Sequence, residues 1–356
     1  MSLWIVGLWG VLAGLCALIL TKFMIRINIK DVPNIRSSHL QATPKSGGVA
    51  VAIPFIVSIC LYEVLFSFSP PFLTALLIGS IVMLVMGFWD DLKGLSWKTR
   101  LTLQTVVAFF VVASGIYFDT ISLPFFGNIS LGFWGPILSG LGIIAFINLY
   151  NFMDGLNGLA SGSTLIGLFF YGIILWRFLF LIDAGIFTFF CVVVLGASLI
   201  PVFVFNFPKG RIFLGGGSEF LGFVLPVLGM IGTFETGDKS HSQLWTEFSG
   251  VTPFLIPLLF FNFIFDGLIT LIRRWLRGRK IWEADRGHLF HELLKRGIRA
   301  HNVTYIHFIF FGLQGMTAFY FTFFELPRFF VLSFIFILLL HVVYATWTLG
   351  YKKLRK

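Results

Sequence analysis

Apolar residues run along this chain in blocks separated by short polar segments. Eleven blocks, near 3–24, 48–67, 71–89, 101–117, 134–149, 159–181, 184–205, 219–235, 252–273, 303–324 and 329–349, approach the roughly 20 residues that a helix needs to cross a hydrocarbon layer. The pattern predicts an all-α integral membrane protein, a polytopic bundle of about 10–11 transmembrane helices forming a single domain over 1–356. The first block starts at Leu3 without a basic leader and more blocks follow it, so it reads as a first span rather than a cleavable signal. Between blocks, Leu123-Pro124 and Gly127-Asn128 predict a short hairpin within 118–133, and the polar stretch 236–250 reads as a mobile loop. No internal repeat is visible.

Composition strengthens this picture. Only 12% of the 356 residues are charged and 57% are hydrophobic, where a soluble domain is about a quarter charged. Cys16, Cys60 and Cys191 all fall inside apolar blocks with no metal or redox spacing, so they read as small packing residues. Charge sets the orientation. With the N-terminus outside and the C-terminus cytoplasmic, all of the 26 Lys and Arg except Arg177, Lys239 and Arg328 fall in cytoplasmic segments or the tail. In a bacterium this is a multi-pass protein of the inner membrane. The net charge of +10 is therefore a topology signal that also suits anionic lipid and phosphate on that face, and it gives no support to nucleic-acid binding.

The same topology brings five polar segments, near 25–47, 89–100, 148–158, 206–219 and 274–301, to the cytoplasmic face. The most informative is Asn148-Leu-Tyr-Asn151-Phe-Met-Asp154-Gly155-Leu-Asn157-Gly158. Asn148, Asn151 and Asp154 recur at i, i+3 and i+6, roughly along one helix face. Amides there can read uracil or ribose edges, Asp154 can take a metal or a hydroxyl, and Gly155 and Gly158 would admit a ligand to the backbone. The competing reading is amide-mediated helix packing. Asp90-Asp91 ends a block. Adjacent carboxylates repel unless a cation or proton neutralises them, they oppose the macrodipole at a helix C-terminus, and hard oxygen donors suit Mg²⁺. A solvated helix end is the plain alternative.

The segment Arg36-Ser37-Ser38-His39, followed by Thr43-Pro44-Lys45-Ser46-Gly47-Gly48, offers hydroxyls, fixed cations and glycines to a phosphate, or is an ordinary basic loop. Arg286, His288 and His291 lie in the last basic segment. The two histidines, three apart, would share a helix face and clamp a diphosphate or a sugar hydroxyl. A zinc site competes weakly, because no further Cys or His pair accompanies them. Asp266 is an ionisable residue at membrane depth, and Arg273, seven residues on, is its candidate partner.

The order Asn148-x-x-Asn151-x-x-Asp154-Gly155-x-x-Gly158-Leu159 resembles the signature of the polyprenyl-phosphate N-acetylhexosamine-1-phosphate transferases. Arg36-Ser-Ser-His39 with Thr43-Pro-Lys45-x-Gly-Gly resembles the branch that starts bacterial O-antigen and related glycans, while the Asp90-Asp91 pair and Asp285-Arg286-x-His288-Leu-x-His291 resemble motifs of the family as a whole. The likeness spans roughly 31–300. It implies transfer of N-acetylhexosamine-1-phosphate from a UDP-sugar to undecaprenyl phosphate, with release of UMP. It further implies Mg²⁺, with Mn²⁺ as the alternative, and a homodimer in keeping with other members. Residue by residue, it implies Asp90 or Asp91 as base for the lipid phosphate or its neighbour, with Asp154, His288 and His291 also catalytic. It places Asn148, Asn151, Gly155 and Asn157 in the nucleotide pocket, Phe213 as a ring stacked on uracil, and Asn206 as a pocket amide. Arg36, Ser38, His39, Lys45, Lys209 and Arg286 would contact substrate; Lys209 and Arg211 read equally as topology charges.

One motif departs from the family. Where the family reads Phe-x-Gly-Asp-x-Gly-Ser, with the Asp as a principal Mg²⁺ ligand, this chain reads Phe213-Leu214-Gly215-Gly216-Gly217-Ser218, one residue short and without the Asp. Glu219 follows directly and, after a local shift permitted by the glycines, would join Asp91 and Asp154 as a metal ligand. The departure keeps open a catalytically silent paralogue that binds UDP-sugar or lipid. A transporter for an anionic metabolite is the other alternative, though its polar groups would be expected near the midplane rather than on one face.

Overall fold

A computed structural model describes residues 2–31, 42–67, 70–123, 127–178, 185–232, 252–279, 287–324 and 327–350. The described chain is helical apart from two short antiparallel ribbons. In order it forms α1 (Leu3–Ile27), β1 (Lys30–Asp31), β2 (Thr43–Pro44), α2 (Gly47–Phe66), α3 (Pro71–Lys93), α4 (Trp97–Ala113), β3 (Thr120–Leu123) and β4 (Gly127–Ser130). There follow α5 (Trp134–Met153), α6 (Leu159–Phe178), α7 (Gly185–Asn206), α8 (Gly217–Ile231), α9 (Thr252–Leu259), α10 (Phe261–Leu276), α11 (Leu289–Lys295), α12 (Ala300–Phe324) and α13 (Pro327–Gly350). The hairpin expected within 118–133 is the β3–β4 ribbon, in register Thr120↔Ser130 to Leu123↔Gly127. The polar stretch 236–250 lies outside the described residues.

Seven of these helices, α1, α2, α3, α5, α6, α7 and α13, contain a stretch long and apolar enough to cross a membrane on its own. Two of the remaining expected spans differ for physical reasons. α4 is only 17 residues long and opens on Trp97-Lys98-Thr99-Arg100, with Ser96 accepting the Thr99 N–H as its cap. The expected span 252–273 is broken: Pro257 supplies no N–H, α9 stops at Leu259, and α10 restarts after Phe260. Phe260 is buried at the break against Phe146 and Phe311.

At the centre stands α8, every residue of which is buried. It packs on α5 and α3, while α1 and α2 cover α7, and α6 lies between α7 and α12. Two crossings are close because both partners are glycine. A Cβ on Gly48 would stand 2.2 Å from the Gly217 Cα, and one on Gly87 would stand 2.3 Å from the Gly216 carbonyl oxygen. Backbone is there on both sides, so neither helix can yield locally. Gly87→Ala is therefore expected to lower the unfolding midpoint in detergent, at a cost of about 1–3 kcal/mol or more; an unchanged midpoint would refute the tight crossing.

Candidate active site

Chain ends that are remote in sequence meet at one end of the bundle. The β1–β2 ribbon and the loop before α8 are stitched together: the Phe213 N–H donates to the Pro44 carbonyl (2.8 Å), Gly47 to Phe213 (2.9 Å) and Gly48 to Leu214 (2.8 Å). This holds Lys45 and Ser46 beside the end of α3. Asp91 Oδ2 accepts from the Ser46 hydroxyl (3.1 Å) and the Gly216 N–H (3.0 Å), with Lys45 Nζ 4.0 Å from Oδ1. Gly215 has φ +59°, and a Cβ there would fall 2.5 Å from Asp91 Oδ2, so glycine is required for the loop to present its amides to this carboxylate.

The paired aspartates are not equivalent. Asp90 Oδ1 accepts the Leu95 N–H, closing the α3–α4 turn, and Oδ2 pairs with Arg100 at 3.3 Å. Both oxygens of Asp90 are thus committed to the protein, while Asp91 Oδ1 has only the distant Lys45 cation among the described contacts. α5 continues to Met153, beyond its expected end, so Asn148 and Asn151 are helical and Asp154 follows as the C-cap. Burial first, and then the charge of Asp91, push the Asp154 carboxyl well above the usual carboxylate range. A buried carboxyl that feels the charge of a second carboxylate favours a proton or a nearby cation. Among the described residues no group of three or more His, Cys, Asp or Glu could surround an ion. Asp91 and Asp154 are nevertheless a fitting donor set for Mg²⁺, which keeps several waters and takes one or two carboxylates plus substrate phosphates.

Asn148 and Asn151, both half-buried, join a polar network that runs to Glu219. Asn148 Nδ2 donates to Gln104 Oε1 (2.7 Å) and to the Ile144 carbonyl (2.8 Å). Gln104 Nε2 donates to Glu219 Oε2 (3.0 Å), and Asn151 Nδ2 donates to Glu219 Oε1. Arg100 Nη1 lies 3.8 Å from the same Oε1. Sequence reasoning missed Arg100 and Gln104; a lone amide inside an apolar block was the available signal.

Several of the expected site residues tie the loops at this end to one another. Asn206 Oδ1 accepts the Gly158 N–H and its Nδ2 donates to the Ile212 carbonyl (2.7 Å), so the amide latches the α5–α6 turn to the α7–α8 loop. Asn157 Nδ2 donates to the Pro208 carbonyl (3.2 Å) across the same seam. The space beside Gly155 is filled by the Phe290 ring, 2.8 Å from a notional Cβ, and that beside Gly158 by Phe207 at 2.6 Å. Both glycines thus admit a neighbouring aromatic ring. Phe213 is half-buried and Lys209 exposed on this loop. Arg36, Ser38, His39 and Arg286 lie outside the described residues.

His288 stands just outside the helix that carries His291, and the two rings lie 6.5 Å apart between centroids. His288 is the N-cap of α11, φ −59° and ψ 149°, and Phe290 packs beside both rings, with centroids 5.6 Å from His288 and 4.2 Å from His291. The position of His288 comes from Asp266, only 1% exposed. Asp266 Oδ1 accepts from His288 Nδ1 (3.0 Å) and the Leu289 N–H (3.0 Å), and Oδ2 accepts the Phe290 N–H (3.4 Å). The partner of this buried acid is therefore His288 and the α11 N-terminus. Arg273, the partner expected from helical spacing, instead donates to the Gly287 carbonyl (3.0 Å) and lies 3.9 Å from Glu292. Because a carboxylate only accepts, Nδ1 carries the hydrogen and His288 Nε2 is left for other contacts. The His288 ring lies against Phe152, two residues before Asp154, so α11 closes over the end of α5.

Fold and site define a membrane-embedded protein with an acidic core and a cationic rim gathered at one end of its helices. Comparison with known proteins places it further. The family model for Glycosyl transferase family 4 matches residues 73–233. A probable undecaprenyl-phosphate N-acetylglucosaminyl 1-phosphate transferase of Bacillus subtilis is 30% identical over 293 residues, covering 80% of this chain and 76% of the relative. A decaprenyl-phosphate N-acetylglucosaminephosphotransferase of Mycobacterium leprae is 28% identical over 335 residues, covering 86% and 82%. An undecaprenyl-phosphate alpha-N-acetylglucosaminyl 1-phosphate transferase of Salmonella typhi is 28% identical over 285 residues, covering 78% and 72%. The chain belongs to the polyprenyl-phosphate N-acetylglucosaminyl-1-phosphate transferase family.

Proposed function

We propose that this protein transfers an N-acetylhexosamine-1-phosphate from a UDP-sugar to undecaprenyl phosphate. A phosphate oxygen of the lipid attacks the β-phosphorus of the donor, the bond from that phosphorus to the UMP oxygen breaks, and UMP leaves with the electron pair. The observation that carries this reading is the meeting of Asp91, Asp154, Lys45, Arg100 and His288 from five separate elements at one end of a membrane bundle. Lys45, Arg100 and His288 would receive and align the anionic groups. Mg²⁺, held by Asp91 and Asp154, would supply neutralisation of the diphosphate and of the charge growing on the leaving group. A phosphomonoester loses its second proton near pH 6, so Asp91 acts more by alignment than by proton removal. The Lys and Arg distribution supports a site on the cytoplasmic side of the bacterial inner membrane, where UDP-sugars are available. A role at the start of O-antigen or another envelope glycan fits this chemistry.

Purified full-length protein in detergent, with undecaprenyl phosphate and Mg²⁺, is expected to release UMP from at least one of a panel of UDP-N-acetylhexosamines. The absent Asp in Gly215–Gly217 makes a silent binding protein the competing reading. Binding of UDP-sugar without any UMP would favour that reading and overturn the transferase.

A further inference from the structure

Glu219 sits where the family motif fails, and its surroundings are unlike those of a metal ligand. It is 2% exposed. Oε2 accepts from Gln104 Nε2 at 3.0 Å, Oε1 accepts from Asn151 Nδ2, and Arg100 Nη1 stands 3.8 Å from Oε1. The partners come from α4 and α5, and two of the three are tied onward: Gln104 to Asn148, and Arg100 to Asp90. A local shift that would carry Glu219 towards Asp91 is barred by the backbone before it. Gly217 is pressed on Gly48 and Gly216 on Gly87, and the Gly216 N–H is already bonded to Asp91. We infer that Glu219 is a positioning residue which holds Arg100 and Asn151 in place for the donor diphosphate and nucleoside, and that it does not ligate the metal. The inference rests on the transferase reading for its ligand. The chemistry is direct: a buried carboxylate satisfies two amide donors and one guanidinium at once, whereas a neutral side chain cannot. Without it, the Arg100 head would be held by Asp90 alone, and Asn151 would lose its described partner.

The test separates positioning from ligation with Mn²⁺ as a spectroscopic probe. Full-length wild type, Glu219→Gln, Asp91→Asn and the exchanged double variant Gln104→Glu/Glu219→Gln are compared in detergent. Mn²⁺ affinity is read by electron paramagnetic resonance, UDP-N-acetylglucosamine binding by calorimetry, and kcat and KM by UMP release. Glu219→Gln is expected to keep Mn²⁺ affinity within about twofold while weakening donor binding about tenfold, as the loss of one charge-assisted contact implies. The double variant puts the carboxylate one side chain away and leaves an amide oxygen at position 219 to accept from Asn151, so it is expected to recover most of that loss. The inference is overturned if Glu219→Gln weakens Mn²⁺ as much as Asp91→Asn does, or if it leaves both donor binding and turnover at wild-type values. A wild type that binds Mn²⁺ and UDP-sugar but releases no UMP would instead overturn the transferase reading, and the binding comparisons would still decide the role of Glu219.

Discussion

Asp91→Asn should reduce UMP release by about 10²–10³-fold, the range seen when one preorganised electrostatic contact is removed from a transition state. The substitution is a clean probe because the fold loses little. An Asn oxygen can still accept from the Ser46 hydroxyl and the Gly216 N–H, so the joint between α3 and the α8 loop remains. What disappears is the negative charge that faces Lys45 and Asp154. Asp90→Asn removes the charge opposite Arg100 and disturbs the α3–α4 turn, so its effect should include a lower unfolding midpoint. Near-normal turnover in an Asp91→Asn protein that retains wild-type helicity would remove this residue from the mechanism.

The largest effect on stability is expected from Asp266→Leu. The leucine fits an apolar surrounding, yet it strips one buried cap of its acceptors. The His288 ring N–H, the Leu289 and Phe290 amides and the Thr270 hydroxyl (3.2 Å) all turn to this one carboxylate. Leaving one buried donor without its acceptor costs about 1–3 kcal/mol, and here several donors lose theirs together. The variant should therefore show a lower unfolding midpoint together with loss of UMP release, since α11 carries both His288 and His291. Asp266→Asn retains an acceptor oxygen and should fall between the two. An Asp266→Leu protein with an unchanged midpoint would show that α11 is held by other means.

The fold class was legible because apolar blocks of span length are produced by the solvent itself, and no tertiary knowledge is needed to read them. The site was half legible. Adjacent acids at a span end and amides within an apolar chain stand out wherever they point, so Asp90, Asp91, Asn148, Asn151 and Asp154 could be named from sequence. Their division of labour could not. Whether Asp90 or Asp91 is committed depends on Arg100 and Leu95 folding back across a turn, and the bond between Gln104 and Glu219 joins residues 115 positions apart. Helical spacing even misled: Arg273 follows Asp266 by seven residues, but a closed N-terminus on α11 offers the acid three donors that spacing cannot reveal. The break at Phe260 was hidden for a related reason, since hydropathy cannot distinguish a continuous span from two halves that part just after Pro257 and Leu259.

The glycine crossings limit what this loop can carry. A side chain placed at 216 would start 2.1 Å from the Gly87 carbonyl carbon, and one at 217 would start 2.4 Å from the Gly48 Cα. An acid at either position would need an added residue or the parting of two helix pairs, with loss of core packing. The loop thus meets Asp91 with a backbone amide, from Gly216, and not with a carboxylate of its own.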